Sequence, residues 1–312
     1  MRTPEMTRDD HASSEAINKV RFVRSYAKIN LTLDVLGKRP DGYHELATIM
    51  QTIDLYDTLC FSILDEDRVS MVCNRPELSN EHNLVVRAAQ AIRQKLGLIR
   101  GLAIELNKRI PVAAGLGGGS SNAAATLLAL QHWWQLPLSM HDLWEIASSL
   151  GSDIPFFLTG GLALCEGRGE QITPLAAHWP APMRWLVLLK PAISVSTATV
   201  FRQLTASDYS NGSWSRAAET ALQTRSALHP DDLYNSLERG VLEQYPEVAQ
   251  AHTDMLQAGA SFVRLSGSGP TLFSTFATLP AATRVQQHLQ ARGYEVYLTR
   301  PIAANNSEIS FF

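Results

Sequence analysis

The residues best suited to chemistry lie between Pro111 and Ala124, in the run PVAAGLGGGSSNAA, where four of the five residues 115 to 119 are glycine. Glycine lets the backbone take positive φ and approach a ligand closely, so consecutive N–H groups can line an anion-binding concavity. Ser120, Ser121 and Asn122 follow at the start of a helix, where unpaired N–H groups and the helix dipole favour phosphate. Ser120 or Ser121 is placed to cap that helix. Lys108 and Arg109 add positive charge just upstream. The common nucleotide loops do not fit. A P-loop needs lysine after its last glycine, and Gly119 is followed by Ser120; a G-x-G-x-x-G loop starting at Gly115 needs glycine where Ser120 stands. A G-x-S-x-G elbow occurs around neither Ser120 nor Ser268. The pattern is a phosphate cradle of another kind.

Two charged residues extend the chemistry. In Gly151-Ser152-Asp153-Ile154-Pro155 an acid follows a helix end, and Pro155 disfavours helix at Ile154, which predicts a turn or extended segment. Phe156, Phe157 and Leu158 then bury the chain and leave Asp153 at the rim of an apolar wall. Lys28 sits on the polar face of an early strand. Taken singly, Asp153 reads as a local turn residue and Lys28 as a solvated surface cation. Taken together with the phosphate loop, they are the parts needed for phosphoryl transfer to an alcohol. That reaction requires charge stabilisation on the phosphates, a positioned hydroxyl and a base beside it.

The elements that must hold these groups are legible from periodicity. Ala27, Ile29, Leu31, Leu33 and Val35 alternate with Lys28, Asn30, Thr32 and Asp34, a strand with one buried face. Arg39-Pro40-Asp41-Gly42 signals a turn, and strands are expected over Leu46–Leu55, Thr58–Leu64 and Arg68–Cys73. Leu84, Ala88, Ile92 and Leu96 mark a helix that stops at Gly97. Leu102, Ile104 and Leu106 form the strand leading into the glycine loop, and the helix beyond it has its body over Ala123–Trp134. Ser139 with Asp142 forms a capping box for another helix, closed near Gly151. Glu170 to Pro182, with three prolines, reads as a domain connection. A strand at Arg184–Leu189, helices over 214–258, two short strands, a helix and a last strand follow. Strands and helices mix in both halves without strict alternation, so the fold class is α+β.

Composition sets the outer limits. The 312 residues allow two domains and a core that needs no staple. A net charge of −3 and a pI near 6.3 argue against a nucleic-acid coat or a polybasic membrane binder. Cys60, Cys73 and Cys165, an odd set without C-x-x-C, argue against a disulfide framework or zinc site and fit a reducing cytoplasm. There is no secretory signal and no membrane-length apolar run, and residues 1–20 read as a mobile tail.

Three stretches carry a resemblance to a known family: SYAKINLTLDV from Ser25, GLGGGSSNAA from Gly115 and RLSGSGPTLF from Arg264 are similar to the three motifs of the GHMP kinases. Within that superfamily, SYAKINLTLDVLGKRPDGYHEL and GSDIPFFLTGGLALCEGRGE resemble the kinases that phosphorylate 4-diphosphocytidyl-2-C-methyl-D-erythritol in the non-mevalonate isoprenoid pathway. The resemblance spans residues 21 to 300 and implies a two-domain α+β fold. An N-terminal domain over 21–176, like domain 2 of ribosomal protein S5, would be followed by a ferredoxin-like domain over 183–302. It implies ATP as co-substrate with Mg²⁺, whose protein ligands it does not identify, and the 2-hydroxyl of a cytidine diphosphate-linked methylerythritol as acceptor. It implies Lys28 and Asp153 as the catalytic pair, with Lys28 holding Asp153 ionised. It places Pro111, Val112, Ala113, Ala114, Gly115, Leu116, Gly117, Gly118, Gly119, Ser120 and Ser121, with Lys108, around ATP. Asn30, Tyr43, His44, Thr197 and Phe201 would hold the acceptor, with Tyr43 stacked on cytosine and His44 bonded to its edge. The chain would act on small molecules in the cytoplasm as a monomer or homodimer, without nucleic acid or membrane partners. Ala113 and Ala114 depart from the pattern, since many relatives carry glycine there. The alternatives are a mevalonate- or homoserine-type kinase of the same superfamily and a non-catalytic nucleotide-binding module.

Overall fold

The computed structural model describes residues 21–175, 179–180, 183–224 and 228–304; the tail expected at 1–20 lies outside them. Two sheets organise the chain. The first has seven strands: β1 (Arg21–Lys38), β2 (His44–Leu64), β3 (Val69–Cys73), β4 (Gly101–Asn107), β5 (Leu162–Gly167), β6 (Gln171–Pro174) and β8 (Tyr234–Asn235). The second has four, in the order β11 (Glu295–Thr299), β7 (Trp185–Lys190), β10 (Leu272–Phe276) and β9 (Arg264–Leu265), with every pairing antiparallel. This is the β-α-β-β-α-β order of a ferredoxin-like unit, with its first crossover enlarged.

Four helices from the first half of the chain pack with the first sheet or with one another beside it: α1 (Leu84–Leu96), α2 (Gly118–Trp133), α3 (Met140–Leu150) and α4 (Ile154–Thr159). Asn83 caps α1 through Val85 N–H, Gly97 ends it in the left-handed conformation, and α3 carries the expected Ser139–Asp142 capping box. Helix α2 is apolar on nearly every side because it lies inside the lobe, against α1, α4 and β1. Ala123, Ala124, Leu127 and Leu130 are fully buried there, and each such leucine contributes about 1.5–3 kcal/mol. The second lobe adds α5 (Thr197–Arg202), α6 (Ser213–Gln223), α7 (Glu238–Gln244), α8 (Pro246–Gln257) and α9 (Leu279–Ala291). Helices α8 and α9 pack against the second sheet, while Leu186, Leu188 and Phe273 share a core with Ile29, Leu31 and Ile49 of the first. Strand β8 and Pro301 return to the first sheet, and Ala304 bridges Gly160 at the end of α4.

Five sequence-based expectations change. The strands expected at 46–55 and 58–64 are one strand, β2, and its register against β1 jumps from Ile53 to Tyr56, where the two were separated. Strand β6 occupies part of the stretch read as a domain connection. Pro155 does not prevent helix: it stands in the first turn of α4, where a missing N–H costs nothing, and Asp153 is the N-cap residue with helical φ and ψ. Helix α2 starts at Gly118, earlier than expected. Left-handed Gly117 is therefore its N-cap, and Ser120 and Ser121 lie inside its first two turns.

The fifth concerns β1, whose polar residues are not solvated: Lys28, Asn30, Thr32 and Asp34 are all buried. Nor does its alternation run unbroken. Asn30 pairs with Met50 and Thr32 with Ile49, so Leu31 is an extra, bulged residue. Beyond it the parity reverses. Leu33 lines the same cavity as Lys28 and Asn30, whereas Thr32 and Asp34 bond to Ser215 of α6.

Candidate active site

A cavity of about 910 Å³ opens between the lobes. Strand β1 supplies Lys28 and Asn30, the glycine loop supplies 111–120, and the second lobe supplies Thr197, Phe201, Gly267 and Ser268. Of the residues singled out from the sequence, only Ser121 and Arg109 do not reach it. Ser121 is buried within α2, its N–H donating to Gly117 O at 2.8 Å, and the Arg109 guanidinium lies 5.4 Å over the Tyr56 ring.

The loop is held from both lobes. Lys28 N–H donates to Leu116 O at 3.0 Å, and Ser266 Oγ donates to Gly115 O at 3.1 Å. Glycine is required at two points. A Cβ on Gly115 would stand 2.2 Å from Ser266 O, and one on Gly117 2.7 Å from Phe157 Cζ and 3.1 Å from Lys28 Cγ. Ala113 takes φ 50°, the left-handed region that alanine disfavours, so the loop carries backbone strain of order 1–3 kcal/mol there. Ala114 is not among the positive-φ residues.

Lys28 Nζ, buried, donates to Asn30 Oδ1 at 2.6 Å and lies 3.6 Å from Asp153 Oδ2. Asn30 Nδ2 in turn donates to Thr48 Oγ1 at 2.8 Å, which fixes the amide with its oxygen toward the ammonium. Asp153 has 33% of its side chain exposed, at the cavity rim, with Ser152 beside it. A carboxylate open to the cavity and backed by a buried cation can accept a hydroxyl proton while its own charge is balanced.

Another part of the lining is aromatic. His44 is nearly buried, its ring 5.3 Å from Phe201 and 6.0 Å from Tyr209. Burial, and then the charge of Lys38, push the His44 imidazole below its ordinary range, so it is neutral at pH 7, with one ring nitrogen a donor and the other an acceptor. Tyr43 is 54% exposed at the mouth, with the Arg168 guanidinium 5.0 Å from its ring. Thr197 Oγ1 and Ser268 Oγ are 2.7 Å apart, tying α5 to the SGSG turn, and Asn235 Nδ2 donates to Leu265 O and Gly267 O beneath that turn. Among the described residues no group of three or more His, Cys, Asp or Glu is arranged to hold a metal ion.

Residues 83–161 match the GHMP kinases N terminal domain and residues 218–295 the GHMP kinases C terminal family. A Pelotomaculum thermopropionicum protein named 4-diphosphocytidyl-2-C-methyl-D-erythritol kinase is 42% identical over 281 residues, 88% of this chain and 95% of its own length. The chain belongs to the 4-diphosphocytidyl-2-C-methyl-D-erythritol kinase family. A crystal structure of 4-(cytidine 5'-diphospho)-2C-methyl-D-erythritol kinase superposes with a TM-score of 0.77 at 32% identity, over 90% of this chain and 98% of that one. Homoserine kinase from Cytophaga hutchinsonii superposes at 0.70 with 17% identity, covering 97% and 98% of the two chains, a likeness of fold alone. The two-domain GHMP kinase fold and the α+β class expected from the sequence are the ones observed.

Two residues at or beneath this cavity, Arg168 and Asp57, were not singled out by the sequence pattern. Arg168 lies in the turn joining β5 to β6, and the pairing of Leu46 with Gly167 brings it beside Tyr43. Only that long-range register could have located it. Asp57 on β2 is also invisible locally, since it reads as one more polar residue in an alternating strand.

Proposed function

We propose that this chain transfers the γ-phosphoryl group of ATP to the 2-hydroxyl of 4-diphosphocytidyl-2-C-methyl-D-erythritol, in the non-mevalonate route to isoprenoids. The observation that carries the reading is the Lys28–Asp153 pair, 3.6 Å apart, in one cavity with the glycine loop and the residues Tyr43, His44 and Phe201. The loop amides from Val112 to Ser120 and the start of α2 receive the triphosphate, with Pro111 in the lining and Lys108 at the cavity wall; Ser121 serves the helix instead. Asp153 orients the acceptor hydroxyl and takes its proton as the oxygen–phosphorus bond forms and the bond to the ADP oxygen breaks. Lys28 offsets the negative charge gathered there.

Tyr43 offers its face to the pyrimidine, and neutral His44 can both donate to and accept from the base edge. Asn30 and Thr197 complete the acceptor end. Mg²⁺ would accompany ATP and would offset phosphate charge, and among the described residues no carboxylate or histidine cluster is arranged to cage it. No step here runs through it. Residues 21–176 and 183–302 are assigned as the two domains, and the protein as a cytoplasmic monomer or homodimer.

The test is a substrate panel: ADP release in the presence of the cytidylylated acceptor, mevalonate or homoserine, with the product read by phosphorus NMR. A monophosphate ester formed on the cytidylylated acceptor alone is expected. Preference for mevalonate or homoserine, or ATP binding with no turnover, would refute the assignment.

A further inference from the structure

Beneath the glycine loop lies a carboxylate that does not face the cavity. Asp57 of β2 is wholly buried, and all its hydrogen-bonding capacity is directed at the two ends of the loop. Its Oδ1 accepts from Arg109 N–H at 2.7 Å and Ile110 N–H at 2.8 Å, the last residues before Pro111. Its Oδ2 accepts from Asn122 Nδ2 at 2.9 Å, just past the loop in α2, and forms an ion pair with Lys108 Nζ. Lys108 Nζ donates onward to Asn122 Oδ1 at 3.1 Å, and Asn122 Nδ2 also reaches Ser25 Oγ at 2.5 Å. One side chain thus closes the base of the loop Pro111–Ser121.

The loop needs such a closure. Ala113, Gly115 and Gly117 have φ of 50°, 73° and 69°, so three of its residues occupy the left-handed region. Two of its carbonyls are spent outward on Lys28 and Ser266. A glycine-rich segment has much backbone entropy to lose on ordering. Fixing both ends on one buried group removes part of that loss before a nucleotide arrives. The same contacts set the position of the Lys108 ammonium at the cavity wall.

We propose that Asp57 is a positioning residue for the phosphate loop, which sets ATP affinity without touching ATP. The inference rests on the kinase reading above. Its test is Asp57→Asn, nearly isosteric. The amide oxygen keeps the Arg109 and Ile110 N–H groups, but the new NH₂ meets Lys108 and Asn122 donor to donor. KM for ATP is expected to rise at least tenfold, while KM for the cytidylylated acceptor changes less than twofold. A role confined to stability would lower Tm and leave the ratio of the two KM values unchanged, which would overturn the proposal.

The double variant Asp57→Asn/Asn122→Asp restores a donor facing an acceptor and returns an anion to Lys108. It is expected to bring KM for ATP back to within about threefold of the parent; a KM no better than the single variant's also overturns the proposal. If Asp57→Asn does not fold, Asn122→Asp alone, which sets a second carboxylate against Asp57, must raise KM for ATP selectively. An unchanged ATP KM there refutes the inference. Parent protein that phosphorylates no acceptor defeats the kinase reading, whereas active parent with an unselective Asp57→Asn defeats only this step.

Discussion

Replacing Lys28 by methionine isolates the charge that faces Asp153, because methionine keeps most of the volume of the stem. Lys28 Nζ lies 3.6 Å from Asp153 Oδ2, and a transition-state charge held at a similar distance from the ammonium would, at an effective dielectric near 20, interact with it by about 4–5 kcal/mol. If that field acts mainly on charge gathered in the transition state, its loss raises the barrier by a similar amount, about three decades in rate. Folding suffers differently. Asn30 Oδ1 loses its ammonium donor in a buried setting, a cost of about 1–3 kcal/mol, while the ion pair itself contributes little, since Asp153 is 33% exposed and solvent screens it. Lys28→Met should therefore remain folded with a modestly lowered Tm, bind ATP within a few-fold of the parent, and turn over about a thousandfold more slowly. Steady-state and single-turnover ADP release, with calorimetric ATP binding and thermal melting, separate these effects. A folded variant with kcat within tenfold of the parent would show that the ammonium does not stabilise the transition state.

Further outcomes follow from other contacts. Asp153→Asn should lower kcat by about 10²–10⁴-fold with ATP affinity kept, the range for a lost general base, and near-normal kcat would remove Asp153 from that role. Tyr43→Ala and Arg168→Ala should each raise KM for the cytidylylated acceptor and spare KM for ATP, since the guanidinium lies 5.0 Å over the Tyr43 ring at the acceptor end; equal effects on both substrates would place the pair outside the acceptor site. Glu238 accepts from Leu265 N–H at 2.6 Å beside the SGSG turn, and burial raises its pKa above the ordinary glutamate value despite that bond and nearby Arg264. A raised folded-state pKa gives stability that is present in acid and is lost as pH rises through it. Glu238→Gln should therefore gain Tm relative to the parent at pH 8 compared with pH 4, and an equal difference at both would refute the burial argument.

The candidate site was legible in the sequence because its proposed chemistry is written in short, local signals. A glycine run between a strand and a helix, an acid beside a proline and a lysine in an alternating strand are each visible within a few residues. Helix ends were legible for the same reason: Gly97 and the Ser139–Asp142 box stand where the backbone needs them. What remained hidden depends on partners far along the chain. Asp57 acquires its meaning from Lys108, Ile110 and Asn122, and Arg168 from the pairing of β2 with β5. The start of α2 was misplaced for a physical reason. Serine preference pointed to a side-chain cap, whereas close packing against Phe157 and Lys28 excludes a Cβ at Gly117 and makes that glycine the cap instead.

The bulge at Leu31 shows why a readable alternation could still mislead. Without it, Lys28, Asn30, Thr32 and Asp34 would share a face, and two extra polar groups would enter the cavity beside the lysine and asparagine. The extra residue turns Thr32 and Asp34 away, where Asp34 accepts from Ser215 N–H at 2.8 Å and from the Ser215 and Ser210 hydroxyls at 2.6 Å. The same reversal brings Leu33 into the cavity with Lys28 and Asn30. One inserted residue thus gives β1 two tasks: before it the strand carries the ammonium that faces Asp153, and after it the strand bonds to α6 of the second lobe. The second lobe, through Gly267 and Ser268, covers the cavity that the first half of the strand lines. Cavity face and inter-lobe contact are therefore fixed within a few residues of one strand, so a shift of the lobes along β1 would disturb the surroundings of Lys28 directly.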